Sequence, residues 1–376
     1  MTILRTNTIS GVGTDGPIFD GDLEFNSQNY VILPKGTTGD RVGVGSTTGA
    51  LRYNTDSNKV ELYDGNQWVE VQSSRPDLNG GARGVFGGGQ SPSAHINTID
   101  FITISSTGNA TDFGDLSEVK RRLSACSSST RGVFGGGRTP LNTNLNTLDF
   151  ITISSTGNTN DFGDLTQARA ALSSCSNSTR GVFGGGYLPS PSASVNTIDY
   201  ITVGSTGNAQ DFGDLTTAPI YLASCSSPTR GLFGGGQNPT PTIVNTIEFI
   251  TISTLGNSQD FGDLTQARKQ ISACSNSTRG VFAGGDTPTD VNTIDFIILS
   301  SIGNAIDFGD LTQVKQQPAG CSSPTRGVFG AGRDPSAQSN NIDYITIQTQ
   351  GNAVDFGDLT EIRVSPGACS NAHGGL

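Results

Sequence analysis

The sequence predicts an all-β chain: a six-bladed β-propeller closed by its C-terminal strand and preceded by a small β-rich N-terminal module. Three observations carry this. A segment reading Arg-Gly-Val-Phe-Gly-Gly-Gly, or one small change from it, begins at Arg83, Arg131, Arg180, Arg230, Arg279 and Arg326, in steps of 48, 49, 50, 49 and 47 residues. That period fits a blade of four short strands. The composition, 51 Gly and a single Met with Ser, Thr, Asn and β-branched residues abundant, favours strands joined by tight turns. One cysteine falls in each repeat, at Cys126, Cys175, Cys225, Cys274, Cys321 and Cys369, and duplication explains that pattern without any pairing of thiols.

Residues 1–75 share nothing with the repeat and are expected to form a separate attachment or oligomerisation module. Gly-rich connections lie at 36–39 and 42–45, and a three-stranded meander is expected at 50–53, 59–63 and 67–71, holding the only tryptophan, Trp68. So few large apolar side chains make a weak core alone. Docking onto another chain or self-association, as a homo-oligomer and most simply a trimer, is therefore expected.

Residues 76–376 carry the repeats. One unit is predicted to hold strands at 172–176, 181–183, 197–203 and 209–212, the second ending in the glycine run 184–186. The third and fourth are joined by Ser-Thr-Gly-Asn, as at 106–109 and 155–158, where Gly and Asn can take the positive φ of a tight hairpin. The first unit lacks its first strand, because 76–82 reads as a loop. Residues 367–371 supply the missing sequence, so the last strand is expected to complete the first blade and leave no open sheet edge.

The balance of 22 Lys plus Arg against 33 Asp plus Glu, a net charge of −11, argues against nucleic acid and anionic membrane surfaces as partners. No apolar run is long enough to span a bilayer or serve as a signal peptide, so synthesis in a cytoplasm without membrane insertion is expected. The cysteines read as small buried filler with free thiols: adjacent inner strands diverge too far for a disulfide or a metal–thiolate site. Asp-Phe-Gly recurs at Asp112, Asp161, Asp211, Asp260, Asp307 and Asp355, and its repetition without companion motifs excludes a kinase site. The second acid of each Asp-Phe-Gly-Asp, such as Asp115 or Asp164, suits a calcium site, a bond to turn amides or a pair with the recurrent arginine. The arginine series itself suits either an anion-binding ring or structural ion pairs. His95 and His373 have no second His at ligand spacing, and no acid pair or nucleophile breaks the repeat. No catalytic residue, metal ligand or cofactor is expected.

The units differ in length and residues at one place, the link from second to third strand: 90–96, 138–145, 187–195, 237–244, 286–291 and 333–340. In an antiparallel four-stranded blade these links emerge on one face. A constant body with one varied set of loops reads either as a binding face or as drift in tolerant surface loops. On the binding reading, the contact residues are Gln90, His95, Arg138, Asn142, Tyr187, Gln237, Asn238, Asp286, Arg333 and Gln338, and a glycan is the fitting ligand.

A strand ending in glycines, then an acidic–aromatic pair such as Asp100-Phe101 or Asp199-Tyr200, then an outer strand with an aromatic, resembles the kelch family from about Asn79 onward. The outer aromatic here is Phe rather than the usual Trp, and the repeats are unusually uniform, so the resemblance implies fold and not partner. The string ALRYNTDSNKVELYDGNQWVEV looks like a β-module of tail-fibre and other virion proteins of tailed phages. FNSQNYVILPKGTTGDR resembles N-terminal segments of virion proteins from marine cyanobacterial phages. Runs similar to RGVFGGG, NTIDFITI and GNATDFGDL occur in phage proteins described as tail-fibre-like or structural. The resemblance implies a virion structural protein made in the host cytoplasm. It would be a tail fibre or related appendage, bound to other virion proteins through the N-terminal module and recognising host-surface glycan. A purely structural decoration or connector, or a glycan-cleaving enzyme, are the alternatives.

Overall fold

The structure, a computed structural model, describes residues 33–41, 48–57, 59–71, 82–189, 192–240 and 242–376. The connection at 42–45 and the loop-like stretch 76–81 lie outside them. The chain divides into two compact units, Met1–Arg75 and Pro76–Leu376. Among the described residues the regular structure is strand throughout, apart from one 3-10 turn at Thr38–Asp40, and no helix is long and apolar enough to cross a membrane.

In the first unit the expected meander is present as Leu51–Asn54, Lys59–Tyr63 and Trp68–Glu70. A fourth strand, Lys35–Gly36, adds to it in parallel where the sequence reading placed a connection. Its centre is ionic: Glu61, fully buried, accepts from Asn54 at 2.8 Å and from Arg41, with Arg52 Nε 3.8 Å away. Tyr63 and Trp68 pack at 5.5 Å beside it.

The second unit is built of four-stranded antiparallel sheets, six among the described residues. One consists of Ser173–Ser176, Arg180–Gly184, Thr197–Thr202 and Gln210–Asp214, hydrogen-bonded in that order. The sheet containing Arg83–Gln90, His95–Thr103 and Thr111–Asp115 takes its first strand from the C-terminal region: Gly367–Ser370 pairs with Arg83–Gln90, Cys369 opposite Val85. Below, the sheets are numbered from this one. Each apolar cluster is shared by two sheets. Cys126, Val133, Leu148 and Phe162 of the second, for example, pack against Phe183, Ile201 and Val203 of the third. Strands buried on both faces explain why Thr-Ile-Asp-Tyr-Ile does not alternate cleanly.

The outer strand runs two residues further than expected, through the second aspartate of Asp-Phe-Gly-Asp. A bulge shifts the register between Ile198 and Asp199, and Gly213, at φ 146°, allows the strand to continue. In the second sheet the turn Ser155-Thr-Gly-Asn158 clamps onto the first sheet's outer strand. A Cβ on Gly114 would lie 2.5 Å from the Gly157 carbonyl. Gly157 N–H donates to Phe113 O at 2.7 Å, and Asp115 N–H to Asn158 Oδ1 at 3.0 Å. The turn asparagine is therefore an acceptor between sheets and not, as expected, a left-handed turn residue.

The arginine series also departs from expectation. Arg83 stacks 4.7 Å over Phe101 of its own sheet and donates to Ile153 O of the next at 3.0 Å. Arg131, Arg180, Arg230, Arg279 and Arg326 repeat both contacts. These are cation–π and carbonyl contacts, neither ion pairs nor an anion ring.

The ion pairs come from other residues. The crossovers leaving five of the six outer strands send a cation into the next sheet: Lys120 to Asp149 (2.7 Å), Arg169 to Asp199 (2.8 Å), Arg268 to Asp295 (2.7 Å), Lys315 to Asp343 (3.1 Å) and Arg363 to Asp100. Arg169 also donates to the carbonyls of Phe183, Gly185 and Thr197, capping the end of the second strand. The crossover into the fourth sheet has Pro219 instead of a cation, and there the acid is Glu248. Its longer side chain accepts from Thr216 N (3.0 Å) and Oγ1 and from Ser258 Oγ (2.6 Å).

This difference generates a prediction. Removing one partner of a buried pair strands the other charge, so Asp199→Ala should cost about 3–5 kcal/mol. Glu248→Gln, which strands no cation, should cost about 1–2 kcal/mol. Urea unfolding midpoints measure the difference; equal losses would refute the assigned roles.

Candidate functional site

The innermost strands present two hydrogen-bond cycles, one at each end. At their C-terminal ends Ser127 Oγ donates to Ser370 O, Ser370 to Ser322, Ser322 to Ser275, Ser275 to Ser226, Ser226 to Ser176 and Ser176 to Ser127, all at 2.6–2.8 Å. The serine follows the cysteine in every repeat. The cysteine side chain turns the other way, toward the next sheet, where the glycine of Arg-Gly-Val-Phe makes room. A Cβ on Gly132 would stand 2.8 Å from Cys369 Sγ. All six thiols are free and buried, and burial pushes them up, Cys175 and Cys369 to about 12. Such thiols are inert filler.

The segment after the last strand folds against this serine cycle. His373 Nε2 donates to Ser127 O at 3.0 Å and lies 3.2 Å from Ser176 Oγ, while its Nδ1 accepts from Gly375 N–H at 3.1 Å. Gly374 N–H donates to Ser275 O at 2.9 Å. His373 is thus a plug residue, and burial holds its imidazole neutral, with the pKa down at about 4.

The other end carries the second cycle. Arg122 N–H donates to Ser365 O, Ser365 to Gln317, Gln317 to Gln270, Gln270 to Tyr221, Tyr221 to Ala171 and Ala171 to Arg122, at 2.8–3.1 Å. All six residues are left-handed, with φ of 54–60°, a conformation costing roughly 1–2 kcal/mol per non-glycine residue. Their side chains meet around the mouth: Gln317 Nε2 donates to Gln270 Oε1 at 2.5 Å, Ser365 Oγ to Gln317 Oε1 at 2.7 Å, and Arg122 lies 5.1 Å over Tyr221. Below them is a polar cavity of about 120 Å³ reaching Ser124, Ser174, Ser224 and Ser272. The serine ends of the strands are uniform, whereas this mouth differs from sheet to sheet.

The varied loops rise beside this mouth, each anchored by a bridge to the neighbouring crossover, as Arg138 to Arg121, Tyr187 to Ala170 and Arg333 to Gln316. The residues selected from sequence stand at or near the loop bases rather than in one pocket. Gln90 Oε1 accepts from Arg121, and His95 lies near Arg121, Arg122 and Arg138. Arg138 Nε donates to Asn142 O at 3.3 Å; Asn142 is exposed, with φ 62°. Tyr187 O accepts from Asn144 at 2.5 Å. Gln237 Oε1 accepts from Lys269 at 2.8 Å, and Lys269 lies 3.9 Å from Asp286. Asn238 N–H closes its loop onto Thr242 O, and Gln338 bridges Arg333. Sequence reading missed the crossover residues Arg121, Arg122, Tyr221, Lys269, Gln270 and Gln317; their signal was that the crossovers vary in the same register as the loops. No cluster of His, Cys, Asp and Glu able to hold a metal occurs among the described residues.

Searches find no protein-family model and no curated protein that match the chain.

His373 yields a pH prediction. Its pKa is lowered in the docked state, so docking is strongest above the ordinary value near 6.5 and weakens as pH falls from there toward 4, by at most about 3 kcal/mol. An NMR titration should place the imidazole near pH 4, with the Gly374 and Gly375 amides losing exchange protection over the same range. Titration at 6.5 without loss of protection would contradict the plugged arrangement.

Proposed function

We propose that residues 76–376 form a six-bladed, kelch-like β-propeller, each four-stranded sheet a blade and Gly367–Ser370 the strand that completes the first. Two hydrogen-bond cycles that return to their starting residues support this reading. We propose further that the protein is a phage virion component, a tail fibre or related appendage, whose varied loops recognise a host-surface glycan while the N-terminal module binds other virion proteins as a homotrimer. The observation that carries the recognition role is the unlike character of the two channel ends. One is lined by identical serines and filled by 373–375; the other is ringed by the side chains of Arg122, Ala171, Tyr221, Gln270, Gln317 and Ser365, five residue types held in a costly backbone conformation.

A non-enzymatic role fits the titratable groups. Five of the six equivalent buried acids pair with cations at repeated positions, which is the pattern of a scaffold rather than of a catalytic site. A second reading, a connector inside the virion, is favoured by apolar residues at the outer edges of the fourth to sixth sheets: Leu255, Ile302, Ile306 and Val354 are each more than half exposed.

Cryo-electron microscopy of purified phage particles separates the two. The recognition role predicts the loops at 90–96, 138–145 and their counterparts pointing outward, and loss of host-cell adsorption when they are replaced by Gly-Ser of equal length. Loops packed against capsid or tail, with adsorption intact, would favour the connector.

A further inference from the structure

The loop face is electrically uneven. Arg121, Arg122 and Arg138 gather where the crossover 116–123 passes from the first sheet to the second, with His95 beside them. Arg121 and Arg138 exchange backbone hydrogen bonds of 3.1 and 2.8 Å. Burial first, then the charges of Arg122 and Arg138, hold the Arg121 guanidinium below its usual pKa. Burial and the Arg121 charge, followed by Arg122 and Arg138, likewise lower His95.

Among the described residues these arginines make no salt bridge, although the chain carries a net charge of −11. Other cations of this face are balanced: Lys269 and Arg333 both act on Asp286. The polar atoms are also incompletely used. Arg121 donates to Gln90, Arg138 to Asn142 O, and Arg122 lies 5.1 Å over the Tyr221 ring, yet Arg121 Nε, Arg122 Nε and His95 Nδ1 are buried with no hydrogen-bond partner. Unpaired buried donors cost about 1–3 kcal/mol each, and clustered like charges add to that. Guanidinium groups already fixed by stacking and by a side-chain amide lose little freedom on meeting an anion.

We propose that Arg121, Arg122, Arg138 and His95 form the site for an acidic oligosaccharide, which they hold by a carboxylate or sulfate group. The proposal rests on the loop face being a receptor-binding surface and names the ligand class. The patch is one sheet junction wide, which suits a single anionic group, and the overall negative charge repels long polyanions such as nucleic acid.

Calorimetric titration of the full chain with a galacturonic acid trimer, a sulfated galactose trimer and a neutral galactose trimer tests it. The acidic trimers should bind, the neutral one at least tenfold more weakly, and the binding should weaken as salt rises from about 50 to 300 mM. Arg122→Gln and Arg138→Gln should each lower affinity for the acidic trimers about tenfold without lowering the melting temperature. Lys59→Gln, an equal loss of charge in the other unit, should not. Equal binding of neutral and acidic trimers, or undiminished binding by both arginine variants, would overturn the proposal. Acidic-trimer binding without host-cell adsorption would keep the site and remove the receptor role; adsorption that acidic trimers fail to compete would do the reverse.

Discussion

Ser127 Oγ donates to the carbonyl of Ser370, a residue 243 positions away in sequence, and five equivalent bonds bring the cycle back to Ser127. The rest of the second unit depends on this kind of bond, in which one sheet supplies the donor and its neighbour the acceptor. The same division recurs from the first strand of each sheet to the outer one. Cysteine sulfur meets the next sheet's glycine, crossover cation meets the next sheet's acid, and the turn asparagine receives an amide from the preceding outer strand. No sheet satisfies all of its own polar groups, so each leans on its neighbours, and the first sheet has its first strand because Gly367–Ser370 returns to it.

Uniform interlocking leaves little freedom to the body and confines variation to what lies outside it. The residues that change together are the loops after the glycine run and the crossovers beside them. The Pro219–Glu248 exception shows how a variation inside the body is absorbed: a lost cation is accompanied by a longer acid and by Ser258, so the carboxylate keeps its donors. At the mouth, by contrast, Arg122, Ala171, Tyr221, Gln270, Gln317 and Ser365 share a backbone conformation and little else. Their left-handed geometry is set by the backbone cycle, which frees the side chains to differ.

Strand content, repeat register and the borrowed first strand could be read from the sequence because they depend on local spacing and on the Arg-Gly-Val-Phe and Cys signals. The partners of Arg83 and Asp115 could not. An arginine opening a strand suggests an ion pair, but its contacts are an aromatic on the adjacent strand and a carbonyl 70 residues away. The crossover pairs left a trace: the one repeat without Lys or Arg at the Pro219 position is also the one with Glu in place of Asp. Among the residues of the cationic cluster, Arg138 and His95 stood out as loop members, whereas Arg121 and Arg122 belong to a crossover and become neighbours of the loop only through sheet packing.

If Gly367–Ser370 completes the first sheet, the two ends of the second unit are held as firmly as its continuous parts. Hydrogen exchange by mass spectrometry on the intact chain tests this most directly, by comparing the amides of Gly367–Ser370 with those of Ser173–Ser176, which pair within an uninterrupted stretch of chain. Both strands should show the same slow exchange. Rapid exchange at Gly367–Ser370, with Ser173–Ser176 still protected, would show that the first sheet is open and would contradict this.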